Sequence, residues 1–278
     1  MSEAADGAAG GSPRGRALST VAYSVTDGLG TLRLDRAEAR NAIDVDLVED
    51  LHEVAQLCAA DAALRALLIC ATGPAFTVGG DVTLFAATSS GDLPAVLRRA
   101  TTRYHAALQI LDGLRLPVIA AVHGAVAGGG LGLIYVADIV LAAEGTRFAT
   151  GFAGLGLSGD GGGSWFLPRL IGLRRTAELY FERRVLDATE AADWGLITRV
   201  VPADELQDLA GQLARELAAG PTRALGEIRS LLRRSASSTL GDQLLAETEA
   251  VARTAGSRDA AHAIESFMAK ARPGFLGW

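Results

Sequence analysis

Between Val21 and Leu34 apolar and polar residues alternate around Asp27-Gly28, as VAYSVTDGLGTLRL. That period of two predicts a hairpin closed by a two-residue turn. From Asp44 the period lengthens. In DVDLVEDLHEVAQLCAAD the apolar residues recur at helical spacing, and Asp44 opens the helix. ALRALLICA then reads as a buried strand, and GPAFTVGGD as a glycine-rich turn. Residues from about Asp92 to Leu114 form a long amphipathic helical pattern. Pro117 to Val122 reads as a strand, Gly124 to Gly130 as a glycine turn, Leu131 to Val136 as a short helix and Asp138 to Ala143 as a further strand. The recurring unit of strand, glycine turn and helix predicts an α/β fold with stacked repeats, although no strict sequence period is present. After Pro202 the pattern changes. ADELQDLAGQLARELAAG, PTRALGEIRSLLRR, LGDQLLAETEAVARTA and RDAAHAIESFMAK read as four successive helices and suggest a second, helical domain.

Composition narrows the picture. With 278 residues, 49% of them hydrophobic, the chain can bury a large core. Its 33 glycines and 5% aromatic content point to an aliphatic core with close backbone approaches. A net charge of −6 disfavours a nucleic acid or an anionic membrane as partner. The two cysteines, Cys58 in a helical pattern and Cys70 at the end of an apolar run, lack metal-ligand or CxxC spacing and read as buried thiols. Residues 1–19 are rich in Gly, Ala and Ser and lack an apolar signal core, which predicts a disordered leader. No run free of glycine and charge reaches membrane-spanning length, so a cytoplasmic protein is expected.

Two glycine turns and one glycine-flanked acid are the candidates for chemistry. AFTVGGDV (75–82) and HGAVAGGGLGL (123–133) each follow a strand and precede a helical pattern. Such a turn lets a ligand approach unpaired backbone N–H groups, and two of these converging on one oxygen would make an oxyanion hole. Neither turn fits a phosphate-binding loop, and on spacing alone close strand–helix packing is the simpler reading. Asp160, in GLSGDGGGSW, reads on its own as the cap of the helix that follows. Asp35 and Asp138 flank strands and are expected to make turn hydrogen bonds. None of the four histidines, His52, His105, His123 and His262, has a partner at ligand or triad spacing, so each is expected to be structural or solvated.

Taken together, five blocks resemble the enoyl-CoA hydratase/isomerase (crotonase) family. They are LDRAEARNAID (34–44), AFTVGGDV (75–82), AVHGAVAGGGLGLIYVADIVLAAEGTRFA (121–149), GLGLSGDGGGSWFLPRLIG (154–172) and ATEAADWGLITRVVP (188–202), in family order and over nearly all the chain after residue 20. The resemblance implies a crotonase-like ββα spiral over 20–202 that binds acyl-CoA. It also implies a C-terminal helical trimerisation region over 203–278 and a homotrimer or hexamer. It assigns the two oxyanion-hole N–H groups to Gly80 and Gly129. Arg40, Asp81, Phe85, Phe152 and Trp165 become candidate substrate contacts, Trp165 being equally readable as a core residue. FMAK places Phe267 and Lys270 at the family's CoA-contacting Phe-x-x-Lys spacing, which an ordinary helix end would also show. No metal or separate cofactor is implied, because CoA is part of the substrate.

The departures from the family pattern bear on the reaction. The two glutamates of the hydratases correspond to Gly132 and Phe152. Syn addition of water needs groups to activate the water and to manage the proton, and both positions lack one. Asp160 is the acid left, and DGGGSW followed by LPR resembles the 1,2-epoxyphenylacetyl-CoA and Δ3,Δ2-enoyl-CoA isomerase type. An isomerase using one carboxylate is therefore expected. The alternatives are a hydratase or hydrolase of an unusual acyl-CoA, and a non-catalytic acyl-CoA binder.

Overall fold

A computed structural model describes residues 18–277. Most of the predicted leader, residues 1–17, lies outside the described residues.

The alternating segment forms β1 (Val21–Thr26) and β2 (Leu29–Leu34), antiparallel. Asp27 and Gly28 take φ of 51° and 78°, the left-handed pair that a two-residue hairpin with native twist requires. Helix α1 (Val45–Ala60) starts where Asp44 accepts a 2.9 Å hydrogen bond from the Leu47 N–H. Then come β3 (Ala66–Ala71), α2 (Val82–Ala87), α3 (Leu93–Asp112) and β4 (Val118–Val122). They are followed by β5 (Ala125–Ala127), α4 (Leu131–Tyr135), β6 (Ile139–Ala143) and β7 (Arg147–Ala149). Next are α5 (Gly163–Leu170), α6 (Leu173–Phe181), β8 (Val185–Asp187), α7 (Ala188–Trp194) and β9 (Arg199–Val201). The chain closes with α8 (Leu206–Ala218), α9 (Thr222–Ser235), α10 (Leu240–Ala255) and α11 (Arg258–Met268).

One sheet has the order β1-β2-β3-β4-β6-β9, parallel from β2 onward, and a smaller sheet has the order β5-β7-β8. The continuous apolar strands are explained by burial on both faces. Leu67 and Ile69 of β3, Ala120 of β4 and Val140 of β6 face one core with α1 and α3. Their sequence neighbours Leu68, Ile119, Ala121 and Leu141 face a second core. Helix α8 covers that second face with Leu206, Ala210, Ala214 and Ala218, a stripe of period four whose small residues permit close approach. The first helix after Pro202 is thus packed into the body of the fold, and the helical third is continuous with it there.

Arg229 of α9 fastens the next helix. It is 5% exposed, pairs with Asp138 at 2.7 Å and donates to the carbonyls of Asp112, Leu114 and Val136. These carbonyls end α3 and α4, where a cation is electrostatically favoured. Asp138 also accepts from the Val118 N–H, 20 residues away, so in place of the expected local turn bond it makes long-range contacts.

The segment 124–130 differs from a plain turn. Val126 is fully buried, and Ala125–Ala127 pairs with β7 as a short strand. Only Gly128–Gly130 turns, as one turn of 3-10 helix.

Candidate active site

The two glycine loops are held side by side by Thr77. Its N–H donates to Ala125 O (3.0 Å), and its carbonyl accepts from Ala127 (3.1 Å). Its hydroxyl donates to Asn41 O (2.7 Å) and accepts from the Gly79 N–H (3.1 Å). Asn41 is fully buried and donates to Thr72 O and Ala75 O, each at 2.9 Å. The 34–44 block therefore acts as a buckle for the first loop. Ile43 bridges Gly80 through bonds to Gly79 O and from the Asp81 N–H, a parallel-ladder pattern that leaves the N–H of Gly80 unused. A Cβ on Gly79 would stand 2.8 Å from Ala127 O, and one on Gly128 would stand 3.9 Å from Gly80 N. Glycine at these positions thus brings Gly80 next to the Gly128–Gly130 turn. Gly80 and Gly129, from neighbouring turns, both line one cavity of about 420 Å³.

Asp160 reaches the same cavity. Its Oδ2 lies 3.4 Å from the place a Cβ of Gly129 would occupy. Four surrounding glycines answer to steric demands. Gly161 has φ +62°, and a Cβ there would meet Gly129 O at 2.6 Å. Gly162, with φ +80°, is the N-cap of α5, which has no side-chain cap bond. A Cβ on Gly159 or Gly163 would collide with the hydroxyl of Tyr180. The expected helix cap is therefore not made: two left-handed glycines stand between Asp160 and α5, and the carboxylate is turned toward His105 instead. His105 Nε2 lies 2.5 Å from Asp160 Oδ1.

That contact corrects the expectation for His105. The histidine sits on α3, whose residues Leu97, Thr101 and His105, spaced by four, all line the cavity. The stripe was readable as helical spacing, but the partner lies 55 residues away, so no local motif announces the pair. The other expectations for histidine agree where a contact is seen, as His123 Nε2 lies 2.9 Å from Gly73 O.

The two positions without glutamate differ. Phe152 lines the cavity and stacks on Tyr180 with ring centroids 6.4 Å apart. At Gly132 there is no space at all. A Cβ there would stand 2.7 Å from Leu108 Cδ1, 2.8 Å from Gly161 O and 3.0 Å from the Tyr104 hydroxyl. Tyr104 is buried, and burial together with the Asp160 charge pushes its hydroxyl well up. The hydroxyl of Tyr180 is raised in the same way.

Of the other candidate contacts, Phe85 lines the cavity, with its ring against Gly80. Asp81 does not. It caps α2 through Thr83 and Leu84 and pairs with Arg36 at 3.6 Å. Arg40 is exposed in a left-handed turn and is also off the cavity wall. Trp165 is 41% exposed and belongs neither to this cavity nor to the buried core. Its edge packs on Phe166 (4.6 Å), Arg169 lies over its face (4.1 Å), and it lines a separate cleft outside His105. Phe267 is 80% exposed on α11, Lys270 lies just beyond that helix, and neither lines the cavity. Asp44, the second acid on the wall, is engaged by the α1 cap and by Arg36 at 3.1 Å. Among the described residues no cluster of three His, Cys, Asp or Glu is placed to hold a metal ion. Nor is any helix among them long and apolar enough to cross a membrane.

The cavity thus combines an apolar wall, two glycine turns and one carboxylate–imidazole pair. A family model described as enoyl-CoA hydratase/isomerase matches residues 24–277. A 1,2-epoxyphenylacetyl-CoA isomerase from Escherichia coli (strain K12) is 35% identical over 91% of this chain and 97% of its own. A 4-chlorobenzoyl coenzyme A dehalogenase from an Arthrobacter species is 29% identical over 90% and 91%. A solved structure from Mycobacterium abscessus that carries the enoyl-CoA hydratase/isomerase name superposes with a TM-score of 0.90. It is 39% identical and covers 93% of this chain and all of that one.

Proposed function

The chain belongs to the enoyl-CoA hydratase/isomerase family, and on that premise we propose that it is an acyl-CoA thioester isomerase with Asp160 as its proton carrier. The observation that carries this reading is the packing of Asp160 Oδ2 against Gly129. It puts the base beside the group that would hold the substrate oxygen. The N–H groups of Gly80 and Gly129 polarise the thioester carbonyl. Asp160 takes a proton from carbon 2, and the negative charge moves onto the thioester oxygen. Losing one such donor typically costs about 3 kcal/mol of barrier stabilisation. A proton returned to carbon 4 completes the shift of the double bond into conjugation. One carboxylate suffices, as base and then as acid. The reaction requires no separate cofactor. Phe85 and Phe152 supply apolar wall for the acyl group. The test is conversion of 3-enoyl-CoA thioesters, followed by the absorbance of the conjugated product. No conversion across a range of chain lengths would reject the isomerase reading.

The His105–Asp160 contact supports a second reading, hydrolytic displacement on an acyl-CoA. A carboxylate nucleophile with an imidazole beside it to activate water can form and then hydrolyse an ester intermediate, and a dehalogenase is among the relatives. Heavy-oxygen water separates the two, since only the hydrolytic route leaves labelled oxygen in the product. A non-catalytic binder would show neither conversion nor exchange at carbon 2.

We also propose self-association through the C-terminal helices as a homotrimer or hexamer. Leu232, Leu244, Val251, Ile264 and Phe267 are all more than half exposed, an apolar surface of a kind that marks interaction sites. Phe267 and Lys270 would contact CoA from a neighbouring subunit. A cytoplasmic location belongs to the same proposal.

A further inference from the structure

We propose that His105 is a proton relay joining Asp160 to solvent through a second cleft, so that the proton taken from carbon 2 is not the one delivered to carbon 4. The inference rests on the reading of Asp160 as the carrier of the substrate proton. A lone carboxylate sealed into an apolar cavity would hold that proton and return it. Asp160 is not sealed. Its side chain is 23% exposed and its Oδ1 meets His105 Nε2, while the His105 side chain is 44% exposed. His105 lines both the substrate cavity and the outer cleft. The outer cleft, of about 330 Å³, is bounded by Leu108, Gln109, Asp112, Gly162, Trp165 and Phe166. Its acid, Asp112, is paired with Arg233 at 3.3 Å, which leaves His105 as the titratable group joining the two spaces.

The two carboxylate oxygens face different partners. Oδ2 is toward Gly129 and the hole, and Oδ1 is toward the imidazole. A proton received on Oδ2 reaches the imidazole side after the carboxyl turns about its Cβ–Cγ bond. Neutral His105 with its proton on Nδ1 accepts at Nε2 and becomes an imidazolium. The imidazolium turns about its Cβ–Cγ bond so that Nε2 faces the outer cleft, where water takes the substrate-derived proton from Nε2 and gives a solvent proton in its place. When the ring turns back, Nε2 hands that solvent proton to Asp160, which restores the acid form and protonates carbon 4. Atoms and charge balance, and the net exchange is one substrate proton for one solvent proton. His105 acts through Asp160, so it is a positioning and relay residue.

The experiment is turnover of a 3-enoyl-CoA thioester deuterated at carbon 2, in ordinary water, with deuterium at carbon 4 of the conjugated product read by mass spectrometry at low conversion. The wild-type product is expected to have lost nearly all the label. In H105Q, which keeps a donor to Asp160 but cannot relay, retention should rise several-fold. In Q109F, which narrows the outer cleft and leaves His105 in place, it should rise in the same direction, so a misfolded H105Q does not end the test. A merely structural role would lower turnover without changing this partition. Equal label retention in wild type and in the variants that fold overturns the relay, with the isomerase intact. No conversion by the wild type overturns the isomerase reading and the relay together.

Discussion

The hydroxyl of Tyr104 donates a 2.8 Å hydrogen bond to the carbonyl of Gly129, in the turn that lines the cavity. Tyr104 is 2% exposed, so the bond is protected from water, and it fixes the Gly129–Gly130 peptide, next to the one whose N–H is the proposed second oxyanion donor. Y104F removes the hydroxyl and little else. A neutral hydrogen bond of this kind is worth about 1 kcal/mol. If that loss falls on the transition state, kcat/KM drops by about fivefold, while KM changes little. Steady-state kinetics of 3-enoyl-CoA isomerisation checks this.

Restoring the missing hydratase glutamate should fail. A Cβ on Gly132 already meets the carbonyl of Gly161, which is backbone and cannot rotate away. G132E should therefore gain no hydration activity and should lower stability by about 1–3 kcal/mol, the range for overpacked sites. Thermal denaturation and a 2-enoyl-CoA hydration assay read the two effects. G132A should already show part of the loss in stability.

Much of this was legible along the chain, and the reasons differ by residue. The hairpin at Asp27-Gly28, the cap at Asp44 and the apolar strands are local signals of period and turn chemistry, and they appear where expected. The Gly80 and Gly129 turns were visible as glycine, and the cavity position of both follows from their loops. The His105–Asp160 contact was not legible, because tertiary packing joins α3 to a loop 55 residues later. Nor was the crowding at Gly132, which reads in sequence as a vacancy and in space as occupied. The family resemblance made Trp165 a candidate substrate contact, but its ring lines the outer cleft, with Phe166 and Arg169 against it.

Arg229 should be a stability residue with no direct part in turnover. It is buried, paired with Asp138 and bonded to the ends of two helices. R229A leaves Asp138 with only the more exposed Arg233 as an ion-pair partner and strands several carbonyls. Breaking such a pair costs about 3–5 kcal/mol. Denaturant unfolding should show a lowered midpoint, with kcat retained in the fraction that stays folded.

The two thiols make a pH-dependent prediction. Burial pushes both Cys58 and Cys70 up to about 11. Neutral thiols are poor nucleophiles, so the native protein should resist alkylation at pH 8 and label at both sites only once unfolded. Both folded-state values lie above the ordinary thiol range. The stability they contribute is therefore fully present below that range and is lost as pH rises toward 11. Fast labelling of either thiol in the folded protein would show that its burial is not maintained in solution.

The central claim is that Asp160 moves the substrate proton, and D160N tests it most directly, because the amide keeps the shape and removes the base. Deuterium uptake at carbon 2 of a 3-enoyl-CoA thioester, measured in heavy water beside its conversion to the conjugated isomer, reports the first proton transfer itself. Exchange and conversion should fall together by about 10²-fold or more in D160N, with substrate binding preserved through the Gly80 and Gly129 N–H groups. Exchange and conversion within a few-fold of wild type would contradict the account.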